Sequence, residues 1–362
     1  MSSQSVKDIR IIAGPHAYEV IRDGGLSWND IAVYFGPAVG PRWLIAAGFD
    51  LSLLKSGVLG KVRPLLLIGA SAGAWRLSTW IQPDAERSYL SLLEAYISAM
   101  YTEKDNPTSI QQSLLNIIDQ AIETDALPFA LKHPRYRLAI ITARAKHLTA
   151  FSSKVLQGFG FTVCYLLNAL SPRFIFSFVE RVIFYSGPLP PPSNKSICIP
   201  LSPSNFKAAL LASGAIPLVV EGVRNIFGAP RGTYRDGGLT DYQLNSALPP
   251  HAYNGFSLSF LHQARIIPAW LDKKLNRYPK REMIEKTVLV LPSEDLIARL
   301  PEGRVPERDD FIRYMSEPER RIKNWRKAVR LTSHLGEVFM ELVESGKIRE
   351  KVERIPLNEP PL

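Results

Sequence analysis

Two short runs of consecutive apolar residues constrain the fold of this chain most strongly. They are IAVYFG, at residues 31–36, and PLLLIGAS, at residues 64–71, and a helical spacing of apolar residues follows each run. Apolar runs of about four to eight residues predict strands that are buried on both faces. Such strands in alternation with helices indicate a mostly parallel sheet with helices packed on it. We therefore expect an α/β fold.

The rest of the chain continues this pattern. Strand-like runs stand in RYRLAIITARAK, RVIFYSG and KTVLVLP, with helical patterns between them. The charged stretch at residues 318–354 has amphipathic spacing and predicts a helical C-terminal region. Hydrophobic residues make up 46% and charged residues 22% of the 362 residues, which is typical of a folded globular protein.

The balance of charge bears on the partners of the protein. The chain carries 44 Lys and Arg residues against 34 Asp and Glu residues, a net charge of +10. Such a surplus favours anionic partners, either nucleic acid or anionic lipid headgroups. The sequence has no basic patch interleaved with aromatic residues and no recognisable nucleic-acid-binding motif. We therefore expect no nucleic-acid partner.

The cysteines and the first residues of the chain bear on its compartment. The two cysteines, Cys164 and Cys198, lie far apart and form no CxxC pair, so we expect neither a disulfide framework nor a zinc site. The first fourteen residues lack the apolar core of a secretory signal. These features predict a cytoplasmic protein, with peripheral membrane association as a further option.

One long apolar stretch raises the question of a membrane span. Residues 155–172 are 18 consecutive uncharged residues, which is the lower limit for a spanning helix. The stretch contains Gln157, Asn168 and two glycines, and it ends in a proline. We therefore expect a buried helix or an apolar flap that touches lipid, rather than a span. The residues that follow, RFIFSFVERVIF, predict an interfacial helix.

A GxSxG pattern is the first candidate for chemistry. Gly69, Ala70, Ser71, Ala72 and Gly73 stand between a predicted strand and a predicted helix, which is the context that a nucleophile elbow requires. The glycines allow a sharp turn that exposes the Ser71 hydroxyl at a helix N-terminus, where negative charge is favoured. The alternative is a turn of small residues with a serine that caps the helix.

A serine nucleophile needs a base, and the sequence offers two kinds. A Ser-Asp-His triad would use His251, His262 or His334, none of which stands in a recognisable motif. The other base is a carboxylate held directly against the serine. The pentapeptide RDGGL occurs twice, with Asp23 in the first copy and Asp236 in the second. The first copy follows a helical pattern and predicts a helix stop.

The second copy gains significance from the residues before it. SGAIP, at residues 213–217, precedes Asp236 by about twenty residues. The order of GxSxG, SGAIP and DGG resembles that of the patatin-like phospholipase family. The resemblance extends roughly from residue 31 to residue 244. It implies a three-layer α/β/α fold with a mostly parallel central sheet, Ser71 as nucleophile, Asp236 as its base, and supporting roles for Gly237 and Gly238.

The same family has a glycine-rich loop whose N–H groups form an oxyanion hole. The best match here is GPAVGPRW, which assigns the donors to Val39 and Gly40 and a supporting charge to Arg42. Pro41 has no N–H, but it falls at a variable position. Trp43 replaces the last glycine of the family pattern, so the loop departs from it.

The resemblance implies a lipid acyl hydrolase that forms an acyl-serine intermediate on a Ser-Asp dyad and needs no metal or cofactor. The expected partners are a lipid or another acyl ester, with possible peripheral membrane contact. We expect Asp236 to be partly buried with a raised pKa, since an ordinary aspartate is a weak base. The predicted division is an N-terminal helical extension at 1–30, a catalytic domain at 31–295 and a packed helical region at 296–362.

Two alternatives stay open at this point. The degenerate glycine loop is compatible with a catalytically impaired member of the same family that binds lipid or protein. An α/β-hydrolase-type esterase would instead use a Ser-Asp-His triad.

Overall fold

A single mixed sheet forms the centre of the molecule. The structure is a computed structural model that describes residues 3–190, 192 and 196–356. In these residues the sheet has eleven strands. They are β1 (Ile9–Ala13), β2 (Ile31–Gly36), β3 (Leu65–Ala70), β4 (Tyr136–Ala145), β5 (Val179–Tyr185), β6 (Ser196–Pro200), β7 (Val223–Arg224), β8 (Thr233–Asp236), β9 (Phe256–Phe260), β10 (Thr287–Pro292) and β11 (Val352–Arg354).

The order of the strands is β11-β1-β10-β9-β2-β3-β4-β5-β6, and β8 pairs with β4 and β7. The central strands β10, β9, β2, β3 and β4 are parallel to one another. Antiparallel pairs join β1 to β10 and β4 to both β5 and β8. The apolar runs IAVYFG and PLLLIGAS form the neighbouring strands β2 and β3, so the predicted α/β fold with a mostly parallel sheet is confirmed.

Helices alternate with these strands along the chain. They are α1 (Ser3–Lys7), α2 (Pro15–Gly24), α3 (Ala47–Ser56), α4 (Ala72–Ser78), α5 (Ala85–Ser98), α6 (Pro107–Ala121), α7 (Leu127–Ala130), α8 (Lys154–Leu170), α9 (Ile175–Phe178), α10 (Phe206–Ser213), α11 (Arg281–Ile284), α12 (Glu294–Arg299), α13 (Asp310–Arg313), α14 (Pro318–Leu331), α15 (Leu335–Glu344) and α16 (Ile348–Lys351). The parallel order requires such crossovers, because parallel strands cannot be joined by a tight turn.

The sheet is buried on both faces, because successive side chains of a strand point to opposite sides. Tyr34 and Leu67 face the larger apolar core, which α3, α4, α5, α10, α14 and α15 complete. Phe35 and Ile68 face the opposite side, where the largely irregular segments 242–253 and 267–270, before and after β9, cover the sheet. Beside this segment, α8 packs Phe161 and Cys164 into a smaller cluster. The buried runs of the sequence therefore reflect a sheet covered on both sides.

Two local predictions need correction. Residues 173–184 do not form one interfacial helix: the short α9 gives way to β5 at Val179, because the β-branched and aromatic residues there pair with β4. The segment 1–30 is not wholly helical, because β1 pairs with β10 and β11. The proposed domain boundaries stay a prediction.

The long apolar stretch forms α8, a helix of 17 residues. Gln157, Gly160, Phe161, Cys164 and Asn168 lie on its buried side, whereas its other side is exposed, so the stretch is a helix but not a fully buried one. Among residues 3–190, 192 and 196–356, no helix combines the length and the apolar character needed to cross a membrane.

Candidate active site

Two strand ends meet beside β4 and bring the candidate residues together. β3 runs parallel to β4 and ends where Ala70 pairs with Ile141. β8 runs antiparallel to β4 and ends where Asp236 pairs with the next residue, Thr142. The two strands therefore approach each other head to head along one edge of β4. Ser71, which follows β3, meets Asp236 at the end of β8.

Ser71 stands in a strained turn between β3 and α4. Its φ of 53° and ψ of −130° lie in a region that non-glycine residues rarely adopt, at a cost on the order of 1–3 kcal/mol. A Cβ atom at Gly73 would lie 2.0 Å from the carbonyl oxygen of Gly36, so glycine is required for the start of α4 to approach β2. Gly69 and Ala70 end β3, and Ala72 opens α4, as expected for an elbow.

The side chains of the two candidates are in direct contact. Ser71 Oγ donates a hydrogen bond of 2.7 Å to Asp236 Oδ2. The second carboxylate oxygen, Oδ1, accepts a hydrogen bond of 2.7 Å from the N–H of Gly238. Both side chains are buried, so little water competes for the carboxylate. The arrangement orients the carboxylate so that one oxygen faces the serine hydroxyl.

The surroundings of Asp236 make it a stronger base than an ordinary aspartate. Burial raises the pKa of Asp236 to about 6, because the charged form loses its hydration. The hydrogen bonds from Ser71 and Gly238 and the charges of Lys273 and Arg308 act in the opposite direction on this pKa. A carboxylate with a pKa near 6 is ionised at neutral pH and still accepts a proton readily.

Ser213 holds the backbone of the elbow. Its Oγ accepts a hydrogen bond of 2.8 Å from the N–H of Ser71 and donates one of 2.7 Å to the carbonyl oxygen of Ile141. The hydroxyl thus links the strained turn to the point where β3 and β8 meet. Sequence reasoning placed Ser213 in the SGAIP segment and assigned it no role. The small polar residue at the head of that segment was the available signal.

The two copies of RDGGL have different environments. In the first copy, Asp23 is exposed near the end of α2 and a Cβ atom at Gly24 would meet nothing within 4 Å. In the second copy, a Cβ atom at Gly237 would lie 2.1 Å from the carbonyl oxygen of Ile141. One at Gly238 would lie 2.7 Å from the Cβ of Ala38. The glycines after Asp236 are therefore required by close packing, whereas Gly24 is not.

An apolar cavity opens beside Ser71. Its volume is about 340 Å³. The wall combines the start of α4 with parts of α5, α6 and the segment 308–315. Most of the lining side chains are aliphatic or aromatic, and they include Trp75, Tyr96, Ile110, Leu114, Ile117, Ile216, Val219, Phe311 and Met315. The cavity therefore suits a hydrocarbon group whose reacting atom lies at Ser71.

The candidate oxyanion residues occupy different positions. Gly40, with φ 56°, begins a short 3₁₀ helix and lines the cavity together with Ser71. The N–H of Val39 donates to the carbonyl oxygen of Pro37 at 3.0 Å, and Arg42 pairs with Glu307 at 3.1 Å. Gly40 and Ala72 each begin a helix, where N–H groups lack intrahelical acceptors. Sequence reasoning had not counted Ala72 among these donors.

Trp43 explains the departure from the glycine pattern. Its ring packs edge-on against Tyr89 and Tyr96 and is buried in the larger core. A glycine at this position would leave a cavity the size of an indole ring, so the aromatic residue belongs to the packing of this loop.

The three candidate histidines do not line the cavity beside Ser71. Among the described residues that line the cavity there is no histidine. His334 pairs with Asp8 at 3.0 Å, and His251 is exposed in a short 3₁₀ helix. Burial lowers the pKa of His262 to about 3, and the charges of Arg42 and Lys273 act in the same direction. The partner of the Ser71 hydroxyl is the carboxylate of Asp236.

Two cations near the dyad escaped the sequence analysis. Lys273 Nζ lies 4.4 Å from the centre of the Tyr242 ring, and Arg308 lines the cavity. Burial lowers the pKa of Lys273 to about 8, and the neighbouring charges of Arg308 and Arg42 also lower it. Both cations come from segments remote in sequence from Ser71 and Asp236, and no motif marks them.

Comparison with known proteins shows a distant structural likeness. No family model and no curated protein matches this sequence. Among solved structures, human GIVD cytosolic phospholipase A2 is similar, with a TM-score of 0.42 and 11% identity. The match covers 96% of this chain and 63% of that one, so this chain spans less than two thirds of that protein's length.

Proposed function

We propose that this protein is a serine acyl hydrolase that cleaves carboxylic esters of lipids. The observation that carries the proposal is the 2.7 Å hydrogen bond from Ser71 Oγ to Asp236 Oδ2 beside an apolar cavity. A hydroxyl that already donates to a buried carboxylate has its proton acceptor in position for nucleophilic attack. The patatin-like order of motifs in the sequence supports the same pair of residues.

In the first step, Ser71 Oγ attacks the carbonyl carbon of the ester and Asp236 takes the hydroxyl proton. The carbonyl oxygen becomes an oxyanion, for which the N–H groups of Gly40 and Ala72, two residues that line the cavity, are the candidate donors. The bond from carbon to the alcohol oxygen then breaks, and Asp236 returns the proton to the leaving alcohol. An acyl-Ser71 intermediate is left.

In the second step, Asp236 takes a proton from water while the water oxygen attacks the acyl carbon. The bond to Ser71 Oγ breaks, the proton passes to Ser71, and a carboxylic acid leaves. Val39 and Arg42 were also predicted for the oxyanion hole. To take part, they would have to release Pro37 and Glu307, their present partners.

The cavity favours an acyl chain over an acetyl group. Its volume of about 340 Å³ and its apolar wall offer room for several methylene groups. Each buried methylene contributes about 0.8 kcal/mol to binding. We therefore expect p-nitrophenyl octanoate to be hydrolysed with a higher kcat/KM than p-nitrophenyl acetate.

A fluorophosphonate probe tests the proposal, because it labels serines that are activated as nucleophiles. Wild-type protein should be labelled and Ser71→Ala should not. Ser345→Ala removes an exposed hydroxyl at the end of α15 and serves as the matched control, which should be labelled like the wild type. Labelling of Ser71→Ala to the wild-type level would contradict the assignment.

A catalytically impaired binding protein is the second candidate, and one observation favours it. The N–H of Val39 is engaged with Pro37, so one donor of the predicted oxyanion hole is occupied. In that case, folded wild-type protein would bind fatty acid or ester in the cavity but would neither react with the probe nor release an acid.

A further inference from the structure

The outer face of α8 is apolar although it faces solvent. Val155, Phe159, Leu166 and Leu170 are 80, 61, 59 and 79% exposed. Their spacing along the helix, with Thr162 between them, follows one side of an α-helix. Most helices on a protein surface show the reverse pattern, with polar residues outside. A continuous exposed apolar stripe of this kind marks an interaction surface.

The inner face of the same helix carries the polar residues. Asn168 Nδ2 donates to Asp272 Oδ1 at 2.9 Å, and Gln157 Nε2 donates to the carbonyl oxygen of Phe151 at 2.7 Å. A Cβ atom at Gly160 would lie 2.8 Å from the Cβ of Leu148, so the helix is closely packed on the protein. The apolar stripe is therefore held outwards by specific contacts on the other side.

The helix that carries the stripe is hydrogen-bonded to a segment that lines the cavity. Gln157 Oε1 accepts a hydrogen bond of 2.7 Å from the N–H of Leu218. Leu218 has φ 67°, a strained conformation for a branched residue, and its side chain is exposed. The next residue, Val219, is also exposed and lines the cavity. Ile312, on another part of the cavity wall, is exposed as well.

The charges around α8 select the kind of partner. The sequence has no acidic residue between Asp125 and Glu180. Lys154 at the start of α8 and Arg173 beyond its end are both exposed. An apolar helix face with basic residues at its ends is typical of helices that lie in the interface of anionic bilayers. A helix of 17 residues lying flat would insert its outer side chains only.

We propose that the outer face of α8, together with Leu218, Val219 and Ile312, docks on the surface of an anionic lipid bilayer. Docking there turns the mouth of the cavity towards the lipid, so that an acyl ester reaches Ser71 without crossing water. The use of docking for catalysis rests on the proposed function, whereas the docking itself does not.

Flotation with lipid vesicles tests the docking. Ser71→Ala protein is mixed with phosphatidylcholine vesicles that contain or lack phosphatidylglycerol, so that binding is measured without hydrolysis. We expect flotation with the anionic vesicles. Phe159, Leu166 and Leu170 are then changed to Ser together. Each apolar side chain withdrawn from the bilayer should weaken partitioning roughly tenfold, so the triple variant should not float.

Val62 and Phe129 provide the matched control. They are 75 and 49% exposed. They precede β3 and β4, whereas Ser71 and α8 follow these strands, so the two pairs lie at opposite ends of the strands. Their change to Ser should leave flotation unaltered. The triple change is also made in protein that keeps Ser71. This variant should hydrolyse the soluble ester p-nitrophenyl butyrate like the wild type and should no longer hydrolyse vesicle lipid.

The outcomes separate the two proposals. Equal flotation of the Ser71→Ala protein with and without the triple change would overturn the proposed docking surface. Failure of the Ser71→Ala protein to float with anionic vesicles would overturn it as well. A protein that does not float but is a dimer by light scattering, and a monomer as the triple variant, would make the stripe an interface between copies, against the proposal. Flotation that depends on the stripe, without any ester hydrolysis, would uphold docking and count against the proposed function.

Discussion

Gly237 packs directly against the carbonyl oxygen of Ile141. A Cβ atom at Gly237 would lie 2.1 Å from that oxygen and 3.1 Å from the Cβ of Ala70. This contact closes the junction between β3 and β8 and places Asp236 one residue beyond the end of β3 in the register of β4. Gly237, the first residue after β8, is thus specified by packing, since no side chain fits there.

Gly237→Ala should therefore destabilise the protein by about 1–3 kcal/mol, as overpacking of a buried site does. Gly24→Ala changes the equivalent residue of the first RDGGL copy, where a Cβ atom meets nothing within 4 Å. It should alter the free energy of unfolding by less than about 0.5 kcal/mol, as an ordinary surface change does. Urea denaturation of both variants measures the difference. Equal stability of the two would contradict the assigned role of close packing.

Much of the fold follows from local pattern. The runs IAVYFG and PLLLIGAS contain no alternation of polar residues, because both faces of β2 and β3 are covered, and the sequence therefore predicts buried parallel strands. RVIFYSG predicted the second part of β5, but its start was harder to locate, since the apolar character of RFIFSFVERVIF is shared by helices and strands. Pairing with β4 decides it, and pairing partners are not visible in a single run of residues.

Some residues of the candidate site could likewise be predicted from the sequence, and others could not. Ser71 and Asp236 stand in motifs whose order along the chain resembles that of the patatin-like phospholipase family, and that resemblance implied that the two residues act together. Lys273 and Arg308 reach the site from segments without a motif, and only the folded chain brings them near Asp236. The engagement of Val39 with Pro37 depends on the exact turn of the loop, which residue types alone do not determine.

The pH dependence of hydrolysis should report Asp236. Its carboxylate must be ionised to accept the proton of Ser71, and its pKa is raised to about 6 by burial. On a soluble ester, kcat/KM should therefore increase as the pH rises through about 6 and level off above it. A profile that is already level at pH 5 would contradict a raised pKa.

Lys273→Met should move the rise of kcat/KM with pH to higher pH. The positive charge of Lys273 lowers the pKa of Asp236. Removal of that charge should therefore raise the pH at which kcat/KM increases, by on the order of half a pH unit. Lys274→Met is the matched control, because Lys274 is the exposed neighbour in the same 3₁₀ helix. The pH–rate profile of the control should coincide with that of the wild type.

Asp236→Asn should stabilise the protein at neutral pH. The pKa of Asp236 is raised in the folded state from 3.8 to about 6, so the folded protein binds the proton more tightly. This tighter proton binding contributes roughly 3 kcal/mol to the free energy of unfolding below pH 4. The contribution is lost as the pH rises to about 6. Asparagine does not titrate and escapes this loss.

The measurement is the thermal midpoint of both proteins between pH 4 and pH 8. Between about pH 4 and pH 6, the thermal midpoint of the Asn variant should rise relative to that of the wild type. Above pH 6, the difference between the two midpoints should stay constant. Hydrolysis should be lost at the same time, because an amide cannot take the serine proton. A midpoint difference that is independent of pH would contradict a raised pKa of Asp236 in the folded protein.

Ser213→Ala should impair turnover more than binding. Alanine leaves the N–H of Ser71 without its 2.8 Å acceptor in a buried, strained turn, at a cost of about 1–3 kcal/mol. The serine then loses its fixed orientation towards Asp236, so kcat should fall roughly ten- to a hundredfold with KM nearly unchanged. Ser213→Thr, which keeps the hydroxyl, should recover part of kcat. Equal kcat for both variants would indicate that the hydroxyl has no positioning role.

The buried ion pair beneath the elbow provides the last prediction. Asp50 pairs with Arg76 of α4 and accepts hydrogen bonds from the hydroxyls of Tyr34 and, at 2.6 Å, Tyr89. Arg76 and Asp50 are almost fully buried. Asp50→Asn keeps the shape but removes the charge, which leaves the guanidinium buried without a counter-charge. We expect a loss of about 3–5 kcal/mol in the free energy of unfolding.

The exposed pair of Lys55 and Glu86, at 2.7 Å, is the matched control. Glu86→Gln removes a charge of the same sign in solvent and should change stability by less than about 1 kcal/mol. Urea denaturation at pH 7 compares the two variants with the wild type. A small effect of Asp50→Asn would mean that the hydrogen bond from Arg76 to the Tyr34 hydroxyl, at 3.2 Å, rather than the charge of Asp50, holds Arg76 and the helix that follows Ser71 in place.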